Sequence, residues 1–347
     1  MLGLSLSGMF KKILKSMFVF GAVLLVYFTL SLALVFWPNS LPFETIHNIS
    51  SESKLGSISP DTKNGFRFIT RDGESLFVKK VGESSHTQII FLHGIASTHK
   101  TVLKTAKLLN SKTGSQVLLP DLRGHGESGG TAFDVAYKGQ YEDDLEDLIL
   151  HLNERGNYNM PRGQSQLDRK ILIGGHSMGG GIAMRYALKE HKPDVDGYLL
   201  FAPNFGEGPT QKKVGGNESH NAPIHFDTKR MIGILMLNSI GVTQLDSLPI
   251  MYFNFPPQMM AYSYASIMSA QPIRPDNTEM ALASIKQPLL TIVGSEDEVF
   301  VASAYPDFIE QNTVLGETVL VDETDHMGVL YSEDAIDSAA RWFNKLF

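Results

Sequence analysis

This chain of 347 residues contains no cysteine. Disulfides, thiolate metal sites and cysteine nucleophiles are therefore excluded, while oxidising and reducing surroundings both stay open. Basic charge is also scarce. Lys and Arg total 30 against 37 Asp and Glu, with no basic block, which argues against nucleic-acid binding. The sequence holds no internal repeat and no low-complexity tract, so a solenoid or a biased linker array is not in question. What it has is apolar: 43% of its residues, enough for one large core or for a domain with additions.

That apolar content is unevenly placed. Met17 to Trp37 carries no charge, and at about 1.5 Å per residue it is long enough to cross a bilayer core of about 30 Å. Lys11, Lys12 and Lys15 precede it; Glu44 and Glu52 follow before Lys54. The positive-inside rule then puts segment 1–16 in the cytoplasm and everything after the span on the extracytoplasmic side, the periplasm in a bacterium. Trp37 and Pro38 would mark the far interface. A cleaved signal peptide would have a shorter apolar region and small residues at its end, and Val35-Phe36-Trp37-Pro38 fits that poorly. The expectation is an uncleaved single-pass anchor at 17–37, a polar linker at 38–63 and a folded domain over 64–347.

Within that domain, Phe66 to Thr70, the turn Arg71-Asp72-Gly73 and Ser75 to Val81 read as a hairpin. Short apolar runs follow at Gln88 to Leu92, Gln116 to Leu119, Lys170 to Ile173, Tyr198 to Phe201, Leu289 to Val293 and Thr318 to Val321. Helical stretches separate most of them, at Thr98 to Asn110, Tyr137 to Arg155, Met178 to Glu190 and Ser332 to Phe347. Continuous apolar strands alternating with helices imply α/β architecture, a mostly parallel sheet covered on both faces. The alternation breaks between Pro203 and Pro288, a stretch too long for a structureless loop. An inserted helical cap is expected at about 204–286. Met231 to Leu237 and Ile250 to Phe255 are its most apolar parts, and it carries methionines at 231, 236, 251, 259, 260 and 268. Methionine adapts to variable apolar shapes, so some of these could line an acyl pocket or touch a membrane, while most would glue the cap in place.

The strongest chemical signal is Gly175-His176-Ser177-Met178-Gly179, a G-x-S-x-G between an apolar run and a helix-forming stretch. In that setting the pattern marks a nucleophile on a tight strand-to-helix turn, with near-side-chain-free neighbours at Gly175, Gly179, Gly180 and Gly181. A serine hydroxyl needs a base, usually a histidine oriented by a carboxylate. Of 11 histidines, His326 sits after a strand and before the last helix. His93, His125 and His176 belong to glycine-rich turns with structural roles, and His47, His86, His99, His151, His191, His220 and His225 default to the surface. Asp297 follows the strand Leu289 to Val293 and falls between serine and histidine in chain order. Its neighbours Glu296 and Glu298 are either solvated charges or the true partner. An oxyanion needs two aimed backbone amides. Met178, after the nucleophile, supplies one, and Ile95 of His93-Gly94-Ile95 is placed to supply the other.

These residues resemble the α/β-hydrolase superfamily from about Phe66 to Phe347, and within it the monoacylglycerol lipase and lysophospholipase group. His93-Gly94, Asp121-Leu122-Arg123-Gly124-His125-Gly126-Glu127-Ser128, Gly175 to Gly179, Gly294-Ser295-Glu296-Asp297 and Asp325-His326 carry the resemblance. It implies Ser177 as nucleophile, an Asp297–His326 pair, oxyanion amides at Ile95 and Met178, a cap over the acyl pocket, and no metal or organic cofactor. In the Asp-x-Arg-Gly-His-Gly-x-Ser loop it implies structural roles for the arginine and histidine. The expected activity is hydrolysis of a carboxylic ester by a membrane-anchored serine hydrolase, a lipid such as a monoacylglycerol or lysophospholipid being favoured over a small soluble ester. The rivals are an aminopeptidase or amidase on the same triad and a non-catalytic tethered binding protein. An aminopeptidase would want cap acids, for which Glu207, Glu218, Asp227, Asp246, Asp276 and Glu279 are candidates.

Overall fold

A computed structural model of the chain describes residues 6–38, 64–159, 169–212, 224–255, 258–272 and 277–347. Apart from Pro38, the expected linker at 38–63 lies outside the described residues, as do His47, Glu218, His220 and Asp276. The described residues form two compact units. One comprises 6–38 with the part of the insert ending at Tyr264; the other holds the rest.

In the larger unit, β1 (Gly65–Ile69) and β2 (Ser75–Val81) make the expected antiparallel hairpin around Gly73. β3 (Thr87–Leu92), β4 (Gln116–Pro120), β5 (Lys170–His176) and β6 (Gly197–Phe201) precede the insert. Of the insert's own strands, β7 (Ile224–Phe226), β8 (Pro249–Phe255) and β9 (Gln258–Ser263), none joins this sheet. β10 (Leu289–Gly294) and β11 (Gly316–Val321) complete it in the order β1-β2-β4-β3-β5-β6-β10-β11. β2 meets β4 antiparallel, and every pairing from β4 to β11 is parallel.

Strand alternation decides which helices cover which face. Ile89, Phe91, Val117, Leu119, Leu172 and Leu199 pack with α2 (His99–Thr113) and with the last helix of the chain, Glu333–Leu346. Their neighbours Ile90, Leu92, Leu118, Ile173 and Leu200 pack with α3 (Gln140–Asn159) and α4 (Met178–Leu188) on the other face. Both sides of the sheet are thus dry, as the uninterrupted apolar strands require. Local signals set the helix ends. Thr98 caps α2 by accepting the Lys100 amide, and Gly114, at φ 68°, ends it in the left-handed conformation.

The smaller unit differs from expectation. It contains α1 (Leu6–Val35), α5 (Thr228–Asn238) and an antiparallel sheet in the order β7-β8-β9, so the insert is not purely helical. Met231 to Leu237 is helix, but Ile250 to Phe255 is strand. Its isoleucine, tyrosine and two phenylalanines favour a pleated surface, and a six-residue apolar run carries no period that separates strand from helix. Past α5 the insert continues through α6 (Tyr264–Ser269) and α7 (Thr278–Ser284), and α8 (Tyr305–Asn312) and α9 (Glu333–Leu346) follow β10 and β11. α1 also begins before Met17, because lysine is a good helix former and Lys11, Lys12 and Lys15 extend the helix rather than a separate segment. Its stretch Met9–Val35 is long and apolar enough to cross a membrane.

Candidate active site

β5 ends in His176, and Ser177 turns the chain straight into α4 with φ 53° and ψ −115°. A non-glycine residue at positive φ is strained, and the surroundings hold it there. The Ser177 amide donates to the Phe201 carbonyl at 3.1 Å, while its own carbonyl accepts the amides of Gly180, Gly181 and Asn204. Two of the glycines are required by contact. A Cβ on Gly175 would lie 2.4 Å from the Gly179 carbonyl carbon, and one on Gly179 would lie 2.5 Å from the Leu92 oxygen. The helix therefore sits directly against the ends of β5 and β3.

Asp297 and His326 follow β10 and β11, the adjacent parallel strands at the far side of β6. Asp297 Oδ2 accepts from His326 Nδ1 at 2.8 Å. Its other oxygen accepts the amides of Val299 and Phe300 at 2.8 and 2.7 Å. Burial pushes the Asp297 carboxyl up, but the His326 bond and charge and the two amides outweigh it and hold the group below its ordinary value. Glu298 takes a different job: its carboxylate accepts the main-chain amide of His326 at 3.0 Å. His176 Nε2 donates to the His326 carbonyl at 3.0 Å, and the two rings lie 4.7 Å apart. His326 is thereby tied on one side to Asp297 and on the other to the residue preceding Ser177. Burial drives His176 down to about 3, with the neighbouring His326 acting in the same direction, so it is neutral at pH 7.

After β3 comes His93-Gly94-Ile95. A Cβ on Gly94 would lie 3.1 Å from His176 Nδ1 and 3.5 Å from Ser177 Cβ, so this turn borders the elbow. His93 Nδ1 donates to the Gly94 carbonyl at 2.8 Å, and its Nε2 accepts the Leu122 amide at 3.1 Å. In a trans peptide the carbonyl and the next amide point opposite ways. Fixing the Gly94 oxygen on the His93 ring therefore turns the Ile95 N–H away from that ring. The Ile95 and Met178 amides donate to no acceptor among the described residues.

The loop Asp121 to Ser128 is a buttress for that turn. Asp121 is fully buried and accepts from the His99 amide, His99 Nδ1 and the Glu127 amide. A Cβ on Gly126, at φ 53°, would strike the Asp121 carboxylate. Arg123 clamps Asp144 through Nε and a terminal nitrogen at 2.9 and 2.6 Å. His125 donates from Nδ1 to the Arg123 carbonyl at 2.8 Å, and burial, reinforced by His93, takes it down to about 3.

The family described as "Serine aminopeptidase, S33" matches residues 83–234, a span that includes Ser177. The AB hydrolase superfamily protein YisY of Bacillus subtilis is 29% identical over 236 residues, which is 66% of this chain and 81% of that protein. The sn-1-specific diacylglycerol lipase ABHD11 of Danio rerio is 33% identical over 109 residues, 31% of this chain and 29% of the lipase. Among solved structures, the α/β-hydrolase GrgF of Penicillium sp. sh18 superposes with a TM-score of 0.56 at 16% identity, covering 82% of this chain and 98% of that one. The chain has the α/β-hydrolase fold and is similar to members of that superfamily. The esterase EaEST of Exiguobacterium antarcticum shares the fold with a TM-score of 0.53 at 18% identity, over 81% of this chain and 99% of that one.

In this α/β-hydrolase fold, Ser177, Asp297, His326, Ile95 and Met178 all lie just beyond the carboxyl ends of β3, β5, β10 and β11, where open parallel sheets bind ligands. Three features escaped sequence reading. His99 is not a surface residue; it is buried against Asp121, 22 residues away in the chain, a pairing no local pattern announces. His151 and His225 are half-buried, while His86 and His191 are exposed as expected. The Glu298 bond to the His326 amide was likewise invisible, because acids in a loop all look solvated. Among the cap acids, Asp227 caps α5 through the Arg230 amide, and Asp246 accepts from the Asn238 side chain, so both have structural occupations.

Proposed function

We propose that this hydrolase cleaves carboxylic esters, preferentially lipid esters such as monoacylglycerols or lysophospholipids, through an acyl-enzyme on Ser177. The observation that carries the reading is the 2.8 Å Asp297–His326 bond, with His326 braced through His176 against a strained Ser177. Ser177 Oγ attacks the ester carbonyl carbon and its proton passes to His326 Nε2. The developing oxyanion is held by the Ile95 and Met178 amides, the latter at the start of α4 where the helix dipole favours negative charge. Collapse of the tetrahedral intermediate breaks the ester C–O bond, and the departing alcohol takes the proton from His326. Water then attacks the acyl carbon, gives a proton to His326, and releases the carboxylic acid as Ser177 recovers its hydrogen. Asp297 orients the imidazole and stabilises its cationic form.

The lipid preference is supported by the apolar α1, by the methionine-rich insert and by the lipase and esterase names among the relatives. α1 would act as an uncleaved anchor that leaves the hydrolase domain on the extracytoplasmic side. Amide hydrolysis is the second reading, favoured by the aminopeptidase description of the matching family. It is weakened by the structural use of Asp227 and Asp246. A fluorophosphonate probe is expected to label the protein and to fail on Ser177→Ala. p-Nitrophenyl esters of increasing acyl length, run beside aminoacyl p-nitroanilides, separate the two activities. Faster turnover of the anilides would overturn the ester assignment.

A further inference from the structure

The smaller unit carries an apolar surface that hydrolysis does not use. α1 and α5 lie side by side and antiparallel, although their hydrogen-bonded residues are 195 to 212 positions apart in the chain. Tyr27 Oη reaches the Met236 carbonyl at 3.3 Å and Ser239 Oγ at 2.9 Å, and Arg230 Nε donates to the Val35 carbonyl at 3.2 Å. Between these points the helices touch backbone to backbone. A Cβ on Gly233 would lie 2.7 Å from the Ser31 oxygen and 2.8 Å from the Val35 nitrogen. A glycine at a close helix crossing is a packing device of membrane helices, where small residues let backbones approach.

The contacts fix where α5 stands along α1. Trp37 lies against Lys229, whose ammonium is 4.6 Å from the ring centre, and both residue types belong at a membrane–water interface. Tyr27 is eight residues before Val35, a rise of about 12 Å along a helix. A single leaflet is about half of the roughly 30 Å hydrocarbon core. If Trp37 marks the far interface, α5 therefore descends beside α1 through most of one leaflet. Its composition suits that depth: Met231 to Leu237 holds no charged or polar side chain, while Thr228, Lys229 and Arg230 sit at the interfacial end. The face of α5 turned from α1 is apolar and open, with Ile232 and Leu235 exposed by 43% and 56%, and Ile240, two residues beyond the helix end, is 40% exposed. α1 likewise exposes apolar side chains at Val26 and Leu30.

We infer that α5 is a second membrane element, immersed in the extracytoplasmic leaflet as the partner of α1, so that this helix of the insert is itself in contact with lipid. This rests on the reading of α1 as a span. The occupant of the exposed α5 face is the acyl region of the bilayer.

The absence of cysteine makes the test direct. Single cysteines replace Leu235 on α5, Val23 on α1 and Val314 on the larger unit, each exposed, and each is labelled with an NBD fluorophore in the full-length protein. The labelled proteins are reconstituted into phosphatidylcholine vesicles with and without 5-doxyl and 12-doxyl lipid. The expected result is lipid quenching at Leu235→Cys at least half as strong as at Val23→Cys, with both shielded from aqueous iodide. Val314→Cys should show the reverse. Quenching at Val23→Cys together with iodide access at Leu235→Cys would overturn the inference and leave the anchor standing. Absence of lipid quenching at both would remove the anchor reading and this inference with it.

Discussion

Acid lability follows from two histidines that the fold keeps neutral. His125 and His176 are buried and carry pKa values of about 3, against roughly 6.5 for histidine in an unfolded chain. Between those values the unfolded state holds one more proton per histidine than the native state, so stability is complete above about pH 6.5 and falls as pH drops toward 3. At pH 5 the shortfall is about 1.5 pH units per histidine, or about 2 kcal/mol each and about 4 kcal/mol for the pair. Typical domains have only roughly 5–15 kcal/mol in total. Asp121 and Asp297, held below their ordinary values by hydrogen bonds that outweigh burial, cost stability only at lower pH. Buried Asp144, pushed up to about 6, binds its proton first in the native state and returns about 1 kcal/mol by pH 5, whereas His93, lowered by burial, adds to the loss. The assay is urea unfolding of the full-length protein in detergent at pH 7.5, 6 and 5. Fluorescence of the buried Trp342 reports it, with Trp37 replaced by phenylalanine. His125→Gln should lower the slope by about one proton. An unfolding free energy that stays level within about 1 kcal/mol from pH 7.5 to 5 would refute the reasoning.

Three further outcomes are expected. Asp297→Asn should fold, as seen by circular dichroism, yet lose roughly 10³–10⁴-fold in kcat, because the imidazole loses its orienting anion. Glu296→Gln should be near wild type in the same ester assay. Glu298→Gln keeps an acceptor for the His326 amide and should stay within a few-fold, whereas Glu298→Ala, which leaves that amide unpartnered, should fall further, mainly in kcat. His93→Phe should lower kcat with KM little changed, by less than the roughly 10²–10³-fold that loss of a whole oxyanion donor costs. An unchanged kcat in that variant would separate His93 from the Ile95 amide.

Much of this protein is written locally. The strands of the large sheet announced themselves as continuous apolar runs, since burial on both faces removes the need for alternation. The Ser177 turn was legible because a strained strand-to-helix junction admits few side chains, and the glycines that satisfy it stand next to it in the chain. The length and composition of α1 are likewise sequence properties. Other features depend on partners distant in the chain. Three acids follow β10, and only the folding back of the Val299 and Phe300 amides onto Asp297 Oδ1 leaves its Oδ2 for His326, while Glu298 takes the His326 main chain. The apolar run at Ile250 became a strand because β7 and β9 were there to pair with it. Gly233 reads in sequence as a weak point in a helix; its meaning lies in the backbone of α1 pressed against it. The sequence alone thus determined the elements and the residue types that chemistry requires, because those depend on neighbours within a few positions. The tertiary structure decided which acid, which histidine and which helix meet, because those choices depend on distance in space.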